Sequence, residues 1–282
     1  MKCGVAAPRN NFFGGVMIKL ACNYSERLIE LIDDNDVRAD YIKAGVYGEF
    51  IGKLDKMRSY GPVLLHGMGY HERAGMKDLN DIDFNSINKY LADYGSPHLG
   101  LHLAIRNSDM ESPMADDEIH RFMSSQIMVF KKKLNVPLLL ENVPDTPEDR
   151  TVYDHYPFAE AEKLNKLITE NDAYLLLDIS HAKLTAEYRG WDVREYIKKL
   201  PLGRLKEIHV NGSGRDAEGN PTDPHVAMTD HDYELLEWTL EQKIPEIVTL
   251  EYNGVDGESS ETVKNNLYIQ LNKLNLIIKK FI

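Results

Sequence analysis

Short apolar runs rich in Val, Ile, Leu and Tyr alternate along this chain with longer stretches in which apolar residues recur at three- and four-residue spacing. Strands repeat every two residues and helices every 3.6, so the first kind reads as strand and the second as helix. Eight strand-like runs occur: CGVAA (3–7), ADYIKAGVY (39–47), PVLLHG (62–67), HLGLHLA (98–104), PLLLENV (137–143), AYLLLDI (173–179), LKEIHVNG (205–212) and EIVTLEYN (246–253). Between them lie YSERLIELIDDND, EFIGKLDKMRSY, DFNSINKYLADYG, DDEIHRFMSSQIMVFKKKL, PFAEAEKLNKLITEND, DVREYIKKL and DYELLEWTLEQK, and the last run is followed by SSETVKNNLYIQLNKLNLIIKKFI. Regular alternation predicts an α/β fold with a parallel sheet and crossover helices, and eight strands close a (β/α)8 TIM barrel. In the final helix Leu267, Ile269, Leu271, Leu274, Ile277 and Ile278 form the face expected to cover the barrel wall.

Alternate side chains of a barrel strand face inward and outward. In HLGLHLA this sends Leu99, Leu101 and Leu103 against the helices and His98, Gly100 and His102 into the barrel. His98 and His102 are then roughly 13 Å apart, too far to share one site, so His98 reads as structural. The same parity turns Leu139 and Glu141 inward, then Leu176 and Asp178, then Glu207, His209 and Asn211, then Thr249 and Glu251. His66, His102, Glu141, Asp178, His209 and Glu251 therefore collect at the C-terminal strand ends, where barrel active sites are built. Irregular segments are expected near 68–82, 105–115, 144–156, 180–191 and 211–229, all after strands. They add His181, which starts the turn after Asp178, and the pair Asp223 and His225, able to clamp one ion from a loop.

At 282 residues the chain suits one barrel domain, 1–282. A formal net charge of -12 disfavours nucleic acid, which requires clustered Lys and Arg on the phosphates. Two cysteines, Cys3 and Cys22, are too few for a disulfide framework and fit a reducing, cytoplasmic setting. No run reaches the roughly 18 apolar residues that span a membrane, and the N-terminus lacks a signal-like apolar stretch.

Carboxylates and imidazoles crowded into one barrel mouth repel or stay unsatisfied unless a cation neutralises them, and divalent ions do this for several at once. The nine candidate ligands are His66, His102, Glu141, Asp178, His181, His209, Asp223, His225 and Glu251. Nitrogen and oxygen donors without sulfur suit Fe, Zn or Mn. His71, His120, His155 and His231, on loops or helices, are read as background.

In order and spacing these residues resemble the xylose-isomerase-like barrels, and the set of nine is similar to the trinuclear site of endonuclease IV. That resemblance implies one metal on His66, His102 and Glu141, a second on Glu141, Asp178, His209 and Glu251, and a third on His181, Asp223 and His225, with Glu141 bridging. The wording of LLHGMG, GLHLA, LLLENV, LLLDISHA, EIHVNGSG and DPH followed by DYELLEWTL looks more like the multinuclear non-haem iron-dependent oxidases, which modify ribosomally made peptides. His181 stands where one common form of that family has Asn. The resemblance implies two or three transition-metal ions, with Fe favoured, and O2 as oxidant. It also implies a cysteine-containing peptide, often presented by a partner protein, and Glu141, Asp178 and Glu251 as the catalytic carboxylates. Three rival readings are a trinuclear zinc phosphodiester hydrolase, a divalent-metal sugar isomerase or epimerase, and a non-enzymatic subunit that binds metal or peptide.

Overall fold

The computed structural model describes residues 17–67, 79, 82–105, 114–152 and 156–281. Eight parallel strands close a barrel in chain order: β1 (Lys19–Asn23), β2 (Tyr41–Ala44), β3 (Val63–His66), β4 (Leu99–His102), β5 (Leu138–Glu141), β6 (Tyr174–Asp178), β7 (Leu205–Val210) and, after an antiparallel hairpin of β8 (Gly212–Arg215) and β9 (Pro221–Val226), β10 (Ile247–Leu250). The helices are α1 (Glu26–Asp33), α2 (Gly48–Ile51), α3 (Leu54–Arg58), α4 (Phe84–Tyr94), α5 (Asp116–Lys133), α6 (Pro147–Val152), α7 (Tyr156–Ala159), α8 (Ala161–Glu170), α9 (Ile179–Arg189), α10 (Val193–Lys199), α11 (Asp230–Gln242) and α12 (Ser260–Ile278). Among the described residues no helix is long and apolar enough to cross a membrane.

The first strand departs from expectation. It is Lys19–Asn23, not 3–7, which lie outside the described residues. KLACN is short and polar at both ends, so its pattern is weak, but it closes the barrel by pairing Ala21 with Thr249 of β10 and with Tyr41 of β2. Ser25 then caps α1 by accepting a hydrogen bond from the Leu28 amide. Three expected loops also contain ordered elements. Residues 179–189 form α9, whose buried Ile179, Ser180, His181, Ala182, Leu184, Thr185 and Ala186 leave no polar face to reveal a helical period. The 211–229 segment carries the β8–β9 hairpin, and 144–156 contains α6 and the start of α7.

Strand pairing fixes which side chains share the interior. His102 lies beside Glu141, Glu141 beside Leu176, Leu176 beside Glu207, Asp178 beside His209 and His209 beside Thr249. The inward parity expected from the sequence is therefore the observed one. Ala21, Leu64 and Ile247, with Tyr41 packed against them, form a small apolar cluster separate from the main core. The large core lies between the barrel wall and the helices, with Leu65, Leu101, Leu140 and Leu177 meeting side chains such as Met123, Phe130 and Leu164.

In α12 the wall-facing residues are Leu267, Leu271, Leu274, Ile277 and Ile278, while Ile269 is 50% exposed. Gln270 takes a buried place and accepts a hydrogen bond from the Met228 amide at 2.8 Å. Replacing Leu271 by Ala should lower unfolding stability in urea by about 2–5 kcal/mol, whereas Ile269→Ala should change it by less than about 0.5 kcal/mol.

Candidate metal centre

Each donor is set by backbone features around it. Glu141 ends β5 and Asp178 ends β6, and Asn142 ties these ends together. Its side-chain amide donates to the Asp178 carbonyl, and its side-chain oxygen accepts the Asp178 amide, both at 2.9 Å. Asp178 also caps α9, its Oδ1 accepting from the His181 amide at 2.7 Å. The cap uses one carboxylate oxygen; Oδ2 remains buried with no hydrogen-bond partner. His181, in the first turn of α9, points Nδ1 at the Asn142 carbonyl at 2.8 Å. A carbonyl only accepts, so Nδ1 carries a proton, and Nε2, 2.9 Å from Asp223 Oδ2, is the ring atom turned toward the third group.

His209 is oriented in the same way. Nε2 meets Glu207 Oε1 at 3.0 Å, and Nδ1 faces Glu141 Oε1 at 3.2 Å and Glu251 Oε2 at 3.4 Å. Asp223 and His225 come from β9, not from a loop, and their donor atoms lie 3.1 Å apart. His225 has φ 52°, and Asn211 holds Asp223 Oδ1 at 2.7 Å. Gly212 permits the hairpin to leave the barrel here, since a Cβ would sit 2.3 Å from the Ala227 carbonyl oxygen.

All nine candidate ligands meet at the mouth, in three groups with donor atoms within 4.8 Å of one another: His66, His102 and Glu141; Glu141, Asp178, His209 and Glu251; and His181, Asp223 and His225. Glu141 belongs to two groups, with Oε2 3.0 Å from His66 Nε2 and 3.3 Å from His102 Nε2 while Oε1 faces His209. Both His66 ring nitrogens and Glu141 Oε2 are buried without a hydrogen bond of acceptable geometry. Buried polar atoms left unpaired cost free energy, and converging lone pairs of nitrogen and oxygen are what a divalent ion would satisfy. The residues present therefore fit such ions. His98 lies apart from the groups, bonded to Glu207 Oε2 at 2.7 Å, and His71 and His155 fall outside the described residues.

Charge is distributed unevenly. Burial would raise Glu141, but the imidazoles of His102, His209 and His66 hold it well below the usual carboxylate range. Glu251 is likewise held down against burial by His209 and Lys43. Burial dominates at Asp178, pushing it to about 7 against the pull of His181 and with help from Asp223, Glu251 and Glu141. Burial and then Lys43 push His66 down to about 4. His181 and His209 sit well above the ordinary imidazole value despite burial, because Asp178 and Asp223 surround the first and Glu251 and Glu141 the second. His225 is raised to about 9, with Asp223 and Glu251 overcoming burial.

Three contributors were not among the nine candidate ligands, although Gly100 and Glu207 were expected to face inward. Lys43, inward on β2, is buried and ion-paired with Glu251. Glu207 links His98, His209 and Thr249 below the mouth. Gly100 makes room for the His66 ring, because a Cβ there would lie 2.5 Å from His66 Nδ1 and 3.0 Å from Leu176. Strand parity places all three inward; what sequence lacks is the cross-barrel distance that joins them. A cavity of about 220 Å3 opens above the donors, lined on one side by His66, His102, His181, His225 and Glu251 and on the other by Asn23, Tyr24, Tyr47, Phe50 and Asn253.

The profile of the family described as "RiPP precursor modification enzyme MbnB/TglH/ChrH" matches residues 33–269. The chain belongs to that family. Among relatives of this MbnB/TglH/ChrH member, a UPF0276 protein of Acaryochloris marina is 29% identical over 204 residues, 67% of each chain. Another, of Bordetella pertussis, is 32% identical over 175 residues, 60% of this chain and 57% of that one. Of solved structures, the IOLI protein with a bound zinc atom aligns at TM-score 0.69 and 15% identity, covering 94% of this chain and 99% of that one. A xylose isomerase domain protein from Alicyclobacillus acidocaldarius aligns at TM-score 0.58 and 15% identity, covering 93% and 99%. These likenesses show the fold alone: the closed barrel seen here is shared with the IOLI and xylose isomerase domain proteins.

Two outcomes follow for this MbnB/TglH/ChrH chain. Gly100→Ala should displace His66 and weaken metal uptake by about tenfold or more in a chelator competition, with the circular dichroism spectrum unchanged. In the metal-free mouth at neutral pH, His181, His209 and His225 carry protons that an incoming cation must displace, so binding should release protons and tighten as pH rises toward about 9. Metal titration in weakly buffered solution with a pH indicator would register the release; uptake with no proton release would contradict it.

Proposed function

We propose that this chain is a multinuclear non-haem iron oxidase that uses O2 to modify a cysteine-containing peptide, with Glu141, Asp178 and Glu251 as its catalytic carboxylates. The observation that carries the reading is the joining of two donor groups through Glu141, with a third group adjoining them. Adjacent centres are what a reaction needs when substrate and oxidant must be held side by side. The family supplies the peptide, as a precursor modified after synthesis. Bound irons would provide the one-electron steps and O2 chemistry that protein side chains lack.

The chain's own residues have three tasks. Glu141 offers one oxygen to the His66 and His102 side and the other to the His209 side, which fixes the separation of the two groups. Asn142, Glu207 and the Asn142 carbonyl orient Asp178, His209 and His181 so that their free donor atoms converge. The cavity of about 220 Å3, bordered by Tyr24, Tyr47 and Phe50, gives a substrate group room beside the donors.

A single-metal sugar isomerase would use only Glu141, Asp178, His209 and Glu251 and leave the buried ring nitrogens of His66 without a partner. A trinuclear zinc hydrolase would use all nine, but a net charge of -12 opposes a polyanionic substrate.

Elemental analysis with Mössbauer spectroscopy on protein purified without oxygen tests the reading. Iron should approach one ion per donor group, with a mixed-valent signal, and a cysteine-containing peptide should change mass in the presence of O2. Zinc in all three groups would favour hydrolysis, and a single Mn or Mg per chain would favour isomerisation. Glu141→Ala should abolish turnover and lower metal content while the barrel stays folded, since its core does not depend on the ions. Full metal content in that variant would overturn the bridging role.

A further inference from the structure

Neither β1 nor β2 contributes a donor to the three groups, yet β2 sends Lys43 into the mouth beside Asn23 and Leu64. Lys43 is only 6% exposed. Its ammonium reaches past β1 to Glu251 Oε1, while Glu251 Oε2 faces His209 Nδ1 at 3.4 Å. The two oxygens of one candidate ligand are thus divided between a fixed cation and the metal group. Lys43 also lines the cavity, next to Tyr47 and Asn253.

We propose that Lys43 is a built-in cation of the centre: it neutralises Glu251 when no metal is bound and confines Glu251 to a single donor oxygen when one is. The inference rests on the metal-centre reading of Glu251. A buried carboxylate stripped of its partner is strongly destabilising, so the ammonium holds the empty mouth together. The same charge repels an arriving cation and occupies the lone pairs that chelation through both oxygens would need. Lys43 would therefore weaken ion binding at the His209 and Glu251 group. It is a positioning residue, acting through Glu251.

The test is a titration of the whole 282-residue chain, free of metal, with Zn2+ against a chromogenic chelator, paired with thermal melting before and after loading. The binding step lost in Glu251→Gln identifies the relevant group. Lys43→Met removes the charge at similar length and should tighten that step by about tenfold or more, while lowering the melting temperature of the metal-free chain by about 4 °C or more. Lys43→Gln, which can still donate a hydrogen bond to Glu251, should also tighten the step and serves if the Met variant does not fold without metal. Lys43→Arg, which keeps the charge, should stay within about threefold of the parent. A residue that only supported the fold would weaken binding when lost, so unchanged or weaker binding in the Met and Gln variants would overturn the proposal while leaving the metal reading intact. A parent chain that takes up no Zn2+ at this step would overturn both.

Discussion

Buried negative charge at one end of the barrel is the constraint around which this structure is arranged. Glu141, Asp178, Glu207 and Glu251 are each no more than 5% exposed. Carboxylates in such a place are tolerated only with cations or hydrogen-bond donors around them. Every inward polar residue near them can be understood as part of that compensation. Imidazoles hold Glu141 ionised, Lys43 and His209 do the same for Glu251, and His98, His209 and Thr249 satisfy Glu207. Asp178 is the exception. Its neighbours do not overcome burial.

The rest of the molecule supports that end. The residues that end β3, β4, β5 and β6, His66, His102, Glu141 and Asp178, are brought with His209 and Glu251 to one rim. Beside the strand ends, α9 and the β8–β9 hairpin cover part of the rim and supply the third donor group. α9 begins on the last residue of β6 with Asp178 as its cap, so one carboxylate both starts a helix and faces the centre. Membership in the MbnB/TglH/ChrH family gives this arrangement a peptide context.

Legibility in the sequence varied with the strength of each local pattern. HLGLHLA and PLLLENV alternate or end so clearly that inward parity and the positions of His102 and Glu141 could be read directly. KLACN could not, because five residues with polar ends have little periodicity of their own and gain their strand character from pairing with β10 and β2. α9 was hidden for the opposite reason: it is buried on nearly all sides and lacks the polar face that marks a surface helix. The Asp223 and His225 spacing was visible, but the hairpin that presents it depends on Gly212 fitting against Ala227.

By itself, the sequence determined the barrel, the inward set on most strands and the chemical character of its mouth, because alternation and strand-end position are local properties of the chain. Only the tertiary structure decided which donors share a group, that Glu141 stands between two of them, and that Lys43 on β2 meets Glu251 some two hundred residues away. It also decided that Gly100 exists to admit His66 and that Glu207 orients His209. Those relations are distances across a closed barrel, set by strand tilt and register, and no periodicity along the chain encodes them.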